Sequence, residues 1–348
     1  MKLPHNVAGV SLALALAACS GANGATPTTL PNGTSSNGGA GGGITHYSVP
    51  AGRQDGVRKA ATAALILVAN EGGGRGGTIS EFSETANGNV APASVIANHN
   101  NGPLAIAFSS KEGIGFANGN INSSGQFGVE TFAPAGDFLT GITGFAKPTQ
   151  TNAVAFDSSG QLFVSASLPR GGRVIDVFAP GANNNAQPKR TISDEGGLAI
   201  DSNNLLYVAN STTATIDIFP SGSGTMEAQI GGSKTGLVAP RTVAIDASLN
   251  VYVFDATTAT ISEFAAGATG NVAPIRTIAG SNTGLSGGNG FGFGIALSKA
   301  SGEIFVSNAS SNAILGFAAT ASGNVAPIQT IAGGATGLSV PLGLAVTE

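Results

Sequence analysis

Residues 243–278 contain one complete copy of the unit that decides the fold: Val243-Ala244-Ile245-Asp246, then Tyr252-Val253 running to Asp255, then Ile261-Ser262-Glu263-Phe264, then Asn271, Pro274 and Ile278. Short apolar segments of strand character alternate there with Gly, Asp, Asn and Pro, the residues that close turns. The third segment has an Ile three residues before a Phe. The same pair recurs as Ile79/Phe82, Val129/Phe132, Ile175/Phe178, Ile216/Phe219 and Ile314/Phe317, with successive Phe residues between 41 and 53 positions apart. That spacing is the period of a four-stranded propeller blade, and it is too long for most helical or leucine-rich repeats.

The other columns of the unit repeat in register. Innermost strands are expected at Ala153-Val154-Ala155-Phe156, Leu198-Ala199-Ile200 and Ile295-Ala296-Leu297, rich in small residues that suit a crowded centre. Asp157, Asp201, Asp246 and Ser298 follow as turn residues, and the Asp column reads as an Asx turn closing a hairpin. The second strand runs into Asn70, Asn118, Asn210, Asp255 or Asn308, with Ala166 at the sixth position. The third strand's alternation predicts polar residues such as Asp217 and Ser262 facing outward. Asn89, Asn185, Asn271 and Asn324 each precede a Pro by three positions, ahead of a fourth strand marked by Ile96, Ile192, Ile278 or Ile331. Blades two and four, around Leu139 and Met226, lack this step, and residues 137–150 read as an insertion. Thr235-Gly236-Leu237, Thr283-Gly284-Leu285 and Thr336-Gly337-Leu338 read as turn and packing devices between blades.

The ends of the repeat array predict its closure. The first unit starts directly at a second strand, Leu65 to Asn70, and the missing inner strand stands at the other end as Pro341-Leu342-Gly343-Leu344-Ala345-Val346. Pairing the two would remove the exposed edges of an open array. The expected fold is therefore all-β, a six-bladed propeller of four-stranded blades. Ile44-Thr45-His46-Tyr47 also carries the third-strand spacing and leaves a degenerate seventh blade as the alternative.

The N-terminus carries a separate message. Lys2 is followed by a run from Val7 to Ala18 that is apolar apart from Gly9 and Ser11 and ends at Leu16-Ala17-Ala18-Cys19. The run has the length of a secretory signal core and is too short to span a bilayer. With small residues before the only Cys of the chain, it resembles the bacterial lipobox, which implies diacylglyceryl attachment at Cys19. Several acyl chains exceed what stable anchoring requires. Ser20 after the Cys, by the same resemblance, implies the outer membrane of the cell envelope. From residue 20 to about 43 the chain is Gly, Ser, Thr, Asn and Ala with two Pro and no charge, a composition that reads as a tether. The expected domains are a signal over 1–18, lipidated Cys19 and tether over 19–54, and the propeller over 55–348.

Across residues 55–348 the registered columns resemble the NHL-type six-bladed propellers and, more distantly, the regucalcin and gluconolactonase propellers. The fold hosts hydrolases, lyases and binding modules, so function has to be argued from the site. By resemblance, the lactonase branch holds a divalent metal with a Glu and with Asn or Asp residues just before the inner-strand Gly-Leu. At that column this chain has Leu104, Asn152, Gly196, Arg241, Phe293 and Leu342, leaving Asn152 as the single metal-ligand candidate. A hard cation needs several converging oxygens. His46 and His99 supply too little for a His-based zinc or acid/base centre, and the Gly-rich run from Gly72 to Gly77 lacks the Lys of a phosphate loop. No cofactor is implied.

Charged residues are 10% of the chain, with 15 Lys and Arg against 19 Asp and Glu, which argues against a nucleic-acid surface. Blade winding brings Asn70, Glu71, Asn118, Asn210, Asp255 and Asn308 to one rim, near Arg75, Arg170, Arg173, Asp194, Glu195 and Arg241. Asn in such a column serves turn geometry. Asp255, Arg241 and the Asp194-Glu195 pair break the repeat pattern and are the better binding candidates. The expectation is a lipid-anchored, non-catalytic envelope propeller that binds a protein, peptide or glycan partner. A metal-assisted, lactonase-like hydrolase or lyase in the channel, using Asn152, Asp255 and Glu195, is the alternative.

Overall fold

A computed structural model describes residues 64–72, 77–97, 102–118, 128–133, 138–142, 150–220, 222–287 and 294–347. The signal, Cys19, the tether, Ile44–Tyr47, Arg75, His99 and Phe293 lie outside them. The described chain forms six four-stranded antiparallel sheets, each a blade. From inner to outer strand, blade one is Pro341–Val346, Leu65–Asn70, Thr78–Ser83 and Ser94–Ala97, and blade two is Pro103–Ser109, Gly113–Asn118, Val129–Phe132 and Phe138–Ile142. Blade three is Gln150–Phe156, Leu162–Ser167, Arg173–Phe178 and Arg190–Ile192, and blade four is Gly197–Ile200, Leu205–Asn210, Thr215–Pro220 and Ala228–Gly231. Blade five is Pro240–Ile245, Val251–Asp255, Thr260–Phe264 and Arg276–Ile278, and blade six is Ile295–Leu297, Ile304–Asn308, Ala313–Phe317 and Gln329–Ala332.

The ring closes through its two chain ends. Pro341–Val346 pairs antiparallel with Leu65–Asn70, with Val346 opposite Ile66, Ala345 opposite Leu67 and Leu344 opposite Val68. Beyond the strand, the Leu65 N–H donates to Thr347 Oγ1 at 2.8 Å and the Thr347 N–H donates to the Leu65 carbonyl at 2.9 Å. Blade one is thus finished by the last residues of the chain.

The Ile-x-x-Phe spacing has a geometric cause. Residues three apart on a strand point to opposite faces, so the pair serves two different cores. Ile261 packs with Phe317 between blades five and six, and Ile216 packs with Phe264 between blades four and five. Ile314 meets Phe82, Ile79 meets Phe132, Val129 meets Phe178 and Ile175 meets Phe219 in the other four cores. Each blade sends its Ile or Val to the next blade and its Phe to the previous one, and every one of these side chains is buried.

Because neighbouring blades cover both faces of each sheet, the expected outward-facing polar residues of the third strand are not exposed. Asp217 and Ser262 are both buried. The presumed insertion at 137–150 is also corrected. Phe138–Ile142 is the outer strand of blade two, and Gln150 already begins the inner strand of blade three.

The turn columns behave as their chemistry requires. Asp157 Oδ1 accepts the N–H groups of Ser159 and Gln161, Asp201 Oδ1 those of Asn203 and Leu205, and Asp246 Oδ1 those of Ser248 and Asn250. Three of the Asn-x-x-Pro loops are clasps between blades. Asn271, Asn324 and Asn89 reach back to the previous blade, where each Oδ1 accepts a backbone N–H at 2.7 Å, from Lys234, Asn282 and Ala335 respectively. Those N–H groups belong to the Thr-Gly-Leu connections. There the Thr hydroxyl donates to the carbonyl of Gly232, Gly280 or Gly333 and accepts the Leu N–H two residues on. At Gly333, with φ at 118°, an added Cβ would stand 2.5 Å from Asn89 Oδ1, so the clasp requires Gly there.

Candidate functional site

The six inner strands surround a cavity of about 390 Å³. Small residues let these strands approach. A Cβ at Gly343 in blade one would lie 2.6 Å from Ala105 Cα in blade two. Aliphatic side chains line much of the wall, including Ile106, Val154, Leu198, Val243 and Leu344. Polar groups gather on the side of blades three to five: Asn152, Ser167, Arg173, Glu195 and Arg241.

β-Bulges aim two of these residues. The pairing of blade three's inner strand skips between Thr151 and Ala153, which leaves Asn152 as the extra residue. The pairing of blade five's inner strand skips between Pro240 and Thr242, which leaves Arg241. A bulge redirects its side chain out of the ladder, here into the cavity. Leu104, at the corresponding skip in blade two, also lines the wall. The sequence column that held Leu104, Asn152, Gly196 and Arg241 is therefore a physical ring of positions around the channel.

Glu195 organises the polar side. Its carboxylate is nearly buried, at 9% exposure. Oε1 accepts hydrogen bonds from Asn152 Nδ2 at 2.7 Å and Ser167 Oγ at 2.9 Å, and Oε2 faces Arg173 Nε at 3.4 Å. Asn152 Nδ2 also lies 2.9 Å from Ser167 Oγ. With its amide nitrogen held by a carboxylate, Asn152 has a fixed orientation, because the flipped amide would set oxygen against oxygen. Asn152 Oδ1 is buried and receives no hydrogen bond from the described residues.

Behind Glu195 lies a buried acidic pair. Asp194 Oδ1 accepts the Glu195 N–H at 2.7 Å and Asn210 Nδ2 at 2.9 Å. Asn210 Nδ2 also reaches Asp217 Oδ2 at 3.1 Å, and Thr215 Oγ1 donates to Asp217 Oδ1 at 2.8 Å. Burial pushes the Asp194 carboxyl up to about 7, overriding the Glu195 N–H that lowers it, and the charge of Asp217 beside it adds to the rise. Asp194 thus supports the loop that carries Glu195 and does not line the cavity.

The remaining rim candidates are held by their own connections. Asp255 Oδ2 accepts the N–H groups of Val238 and Ala239, both at 2.7 Å, and its Oδ1 accepts those of Thr257 and Thr258. Asn70 accepts the Ser339 N–H and donates to the Gly337 carbonyl. Asn308 donates to the Gly284 carbonyl and accepts from the Ser286 and Ser310 hydroxyls. Asn210 caps the N–H groups of Thr212 and Thr213. None of these four lines the cavity. Asn118 ends the second strand of blade two, and its side chain lies outside the described residues. Arg170 is exposed, with a left-handed backbone, and also stays off the cavity wall.

The structure therefore joins Asn152, Glu195, Arg173 and Arg241 in one place, and adds Ser167. Ser167 carried no signal in the sequence, since it stands beyond the end of the second-strand column. It enters because it sits directly opposite both Gln150 and Arg173 across the sheet. As a metal site the donor set is poor. Of the described positions in the bulge column, Asn152 alone offers a side-chain oxygen, and Arg241 brings a positive charge toward the same space. Among the described residues, no group of three His, Cys, Asp or Glu side chains is placed to hold a metal ion.

No protein-family model matches the chain, and no curated protein sequence matches it. Solved structures do. A protein of unknown function from Bacteroides caccae is 9% identical, with TM-score 0.57 over 82% of this chain and 100% of its own. The periplasmic gluconolactonase of Pseudomonas aeruginosa is 13% identical, with TM-score 0.53 over 82% of this chain and 99% of its own. A chain of a nidogen/laminin complex is 13% identical, with TM-score 0.57 over 82% of this chain and 99% of its own. At such identities the likeness establishes one property, the six-bladed β-propeller fold.

Proposed function

We propose that this protein is a lipid-anchored, non-catalytic binding propeller of the bacterial cell envelope, tethered through Cys19 on the outer membrane and engaging a protein, peptide or glycan partner at the mouth of its channel. The observation that carries the binding reading is the Glu195 centre. Its carboxylate is held by Asn152, Ser167 and Arg173, which organises a recognition surface, and among the described residues lining the cavity it is the one carboxylate that could serve as a base. A general base has to reach its proton directly or through one water. The fold likeness is compatible with either class, since a lactonase and a nidogen/laminin complex chain both share it.

The test has two parts. Cys19→Ser should move the protein from the membrane to the soluble fraction with the propeller folded. Cross-linking in intact envelopes, comparing the wild type with Arg173→Glu/Arg241→Glu, should show a partner that is lost in the variant at unchanged expression. A Cys19→Ser protein that stays with membranes refutes the anchor, and a cross-linked partner indifferent to the double substitution refutes the channel mouth as its site.

A further inference from the structure

A second cavity, of about 240 Å³, opens between blades two and three. Glu112 and Gly160, in hairpins between first and second strands, put it at the opposite end of the blades from Gly171 and Ser211, which stand in the next connections and line the channel mouth. Its origin is a row of small residues where other blades carry large ones. The paired row runs Ala244, Tyr252, Glu263 and Arg276 across blade five, and Ala155, Phe163, Val177 and Arg190 across blade three. In blade two the same row is Ala107, Gly115, Thr131 and Thr140. The large residues at the end of the row do visible work. Arg276 pairs with Glu263, donates to Tyr252 Oη at 3.4 Å and crosses to blade six, where it donates to the Ala319 carbonyl at 2.7 Å. Gln329 makes the same crossing from blade six, donating to the Glu84 carbonyl of blade one at 2.9 Å. Arg190 lies over the Phe163 ring, 5.5 Å from its centroid. Thr140, whose side chain stops at its γ atoms, leaves the crossing from blade two to blade three open.

We propose that this interblade cavity takes the guanidinium of an arginine from a partner protein, in place of the one that blades three and five build in. The groups that would receive it are present. Glu112 lays its carboxylate over Gly160, where an added Cβ would collide with Oε1. Among the described residues, the cationic neighbour of that carboxylate is Lys111 Nζ at 3.9 Å, beyond hydrogen-bond distance and itself donating to the Ser159 carbonyl at 2.8 Å. The Phe156 ring covers Gly115, since a Cβ there would come within 2.8 Å of its Cζ, and it offers a face to a cation as Phe163 does to Arg190. Ala179 and Gly181 of the wall flank Pro180, whose carbonyl stands two residues past Phe178, as those of Ala319 and Glu84 stand two past Phe317 and Phe82. A planar guanidinium serves a carboxylate, a carbonyl and a ring face together, which an ammonium cannot do. Small-molecule sites enclose roughly 300–1,000 Å³, so the size of this cavity suits one side chain better than a free ligand. The site is separate from the channel mouth and does not depend on the reading given to that mouth.

The test uses the full chain and two probes followed by ligand-observed NMR titration: N-acetylarginine methylamide, and N-acetylcitrulline methylamide as its uncharged isostere. The arginine probe should bind about fivefold or more tightly than the citrulline probe, the difference that charge-assisted hydrogen bonds make. Glu112→Gln should remove that difference. Thr140→Arg, which supplies the guanidinium from within the row as Arg276 does in blade five, should abolish binding of the arginine probe. Melting curves verify that both variants are folded, and the comparison of the two probes on the wild type needs no variant. A citrulline probe that binds as well as arginine, a folded wild type that binds neither, or arginine binding that is unchanged by Glu112→Gln or by a folded Thr140→Arg protein overturns the proposal.

Discussion

Ile314, in the third strand of blade six, and Phe82, in the third strand of blade one, share a single hydrophobic core although they belong to opposite ends of the propeller sequence. The other five interblade cores repeat this contact between sequence neighbours. The sixth exists because Pro341–Val346 completes the blade that holds Phe82, so the ring is one continuous circuit of Ile-to-Phe contacts.

Deleting residues 341–348 should therefore cost far more than eight residues' worth of contacts. It removes the inner strand of blade one and leaves Leu65–Asn70, buried along its whole length, as a bare edge. Such an edge pairs with other chains. The truncated protein is expected to aggregate or to melt far below the parent. A truncation that melts like the full chain would show that the ring is held elsewhere.

Phe264→Ala tests a single core. Its side chain is fully buried against Ile216 and Val253, and the loss should be about 3–5 kcal/mol from transfer and cavity terms. Combined with Ile216→Val, the loss should depart from the sum of the two, because both side chains line the same space. Denaturant titration of the single and double variants measures this. Strict additivity would contradict the shared core.

The clasps predict an asymmetric pair of variants. Gly333→Ala places a side chain in a backbone region that is essentially closed to other residues, at about 1–3 kcal/mol, and drives it against Asn89. Asn89→Ala in the same chain should recover the clash but not the backbone strain. Full recovery by the second substitution would mean that the conformation of Gly333 is unimportant.

Much of this was legible because each repeated column does one physical job in every blade. The Ile and Phe columns read correctly since a three-residue separation on a strand must serve two faces, and the Asp column since an Asx turn is local. Asp217 and Ser262 were misread as outward-facing, because alternation reports which face a residue takes and not whether another blade covers that face. Asp255 stood out by breaking the Asn pattern, yet it does the same capping work with a carboxylate. The Glu195 centre was only half visible. Asn152, Ser167 and Arg173 come from three strands of one blade, and their convergence depends on a bulge that no residue type announces.

Asp194 makes stability depend on pH in a stated direction. Its folded value of about 7 lies above the ordinary 3.8, so between these values the native state holds a proton that the unfolded chain releases. Stability from this group is full below about pH 4 and is lost as pH rises through about 7. Asp194→Asn should flatten that decline. Melting temperatures of the two proteins across pH 4–8 give the readout, and parallel curves would mean that Asp194 does not titrate in this window.

Whether the channel mouth is a binding site or a metal centre is decided most directly by elemental analysis of the purified protein, paired with melting curves before and after chelation. The arrangement of Asn152, Glu195, Arg173 and Arg241 predicts no stoichiometric divalent metal and a melting temperature that chelation leaves unchanged. One equivalent of bound metal, with a drop of several degrees on its removal as expected for loss of a tight ligand, would contradict it and make the lactonase-like hydrolase the better reading.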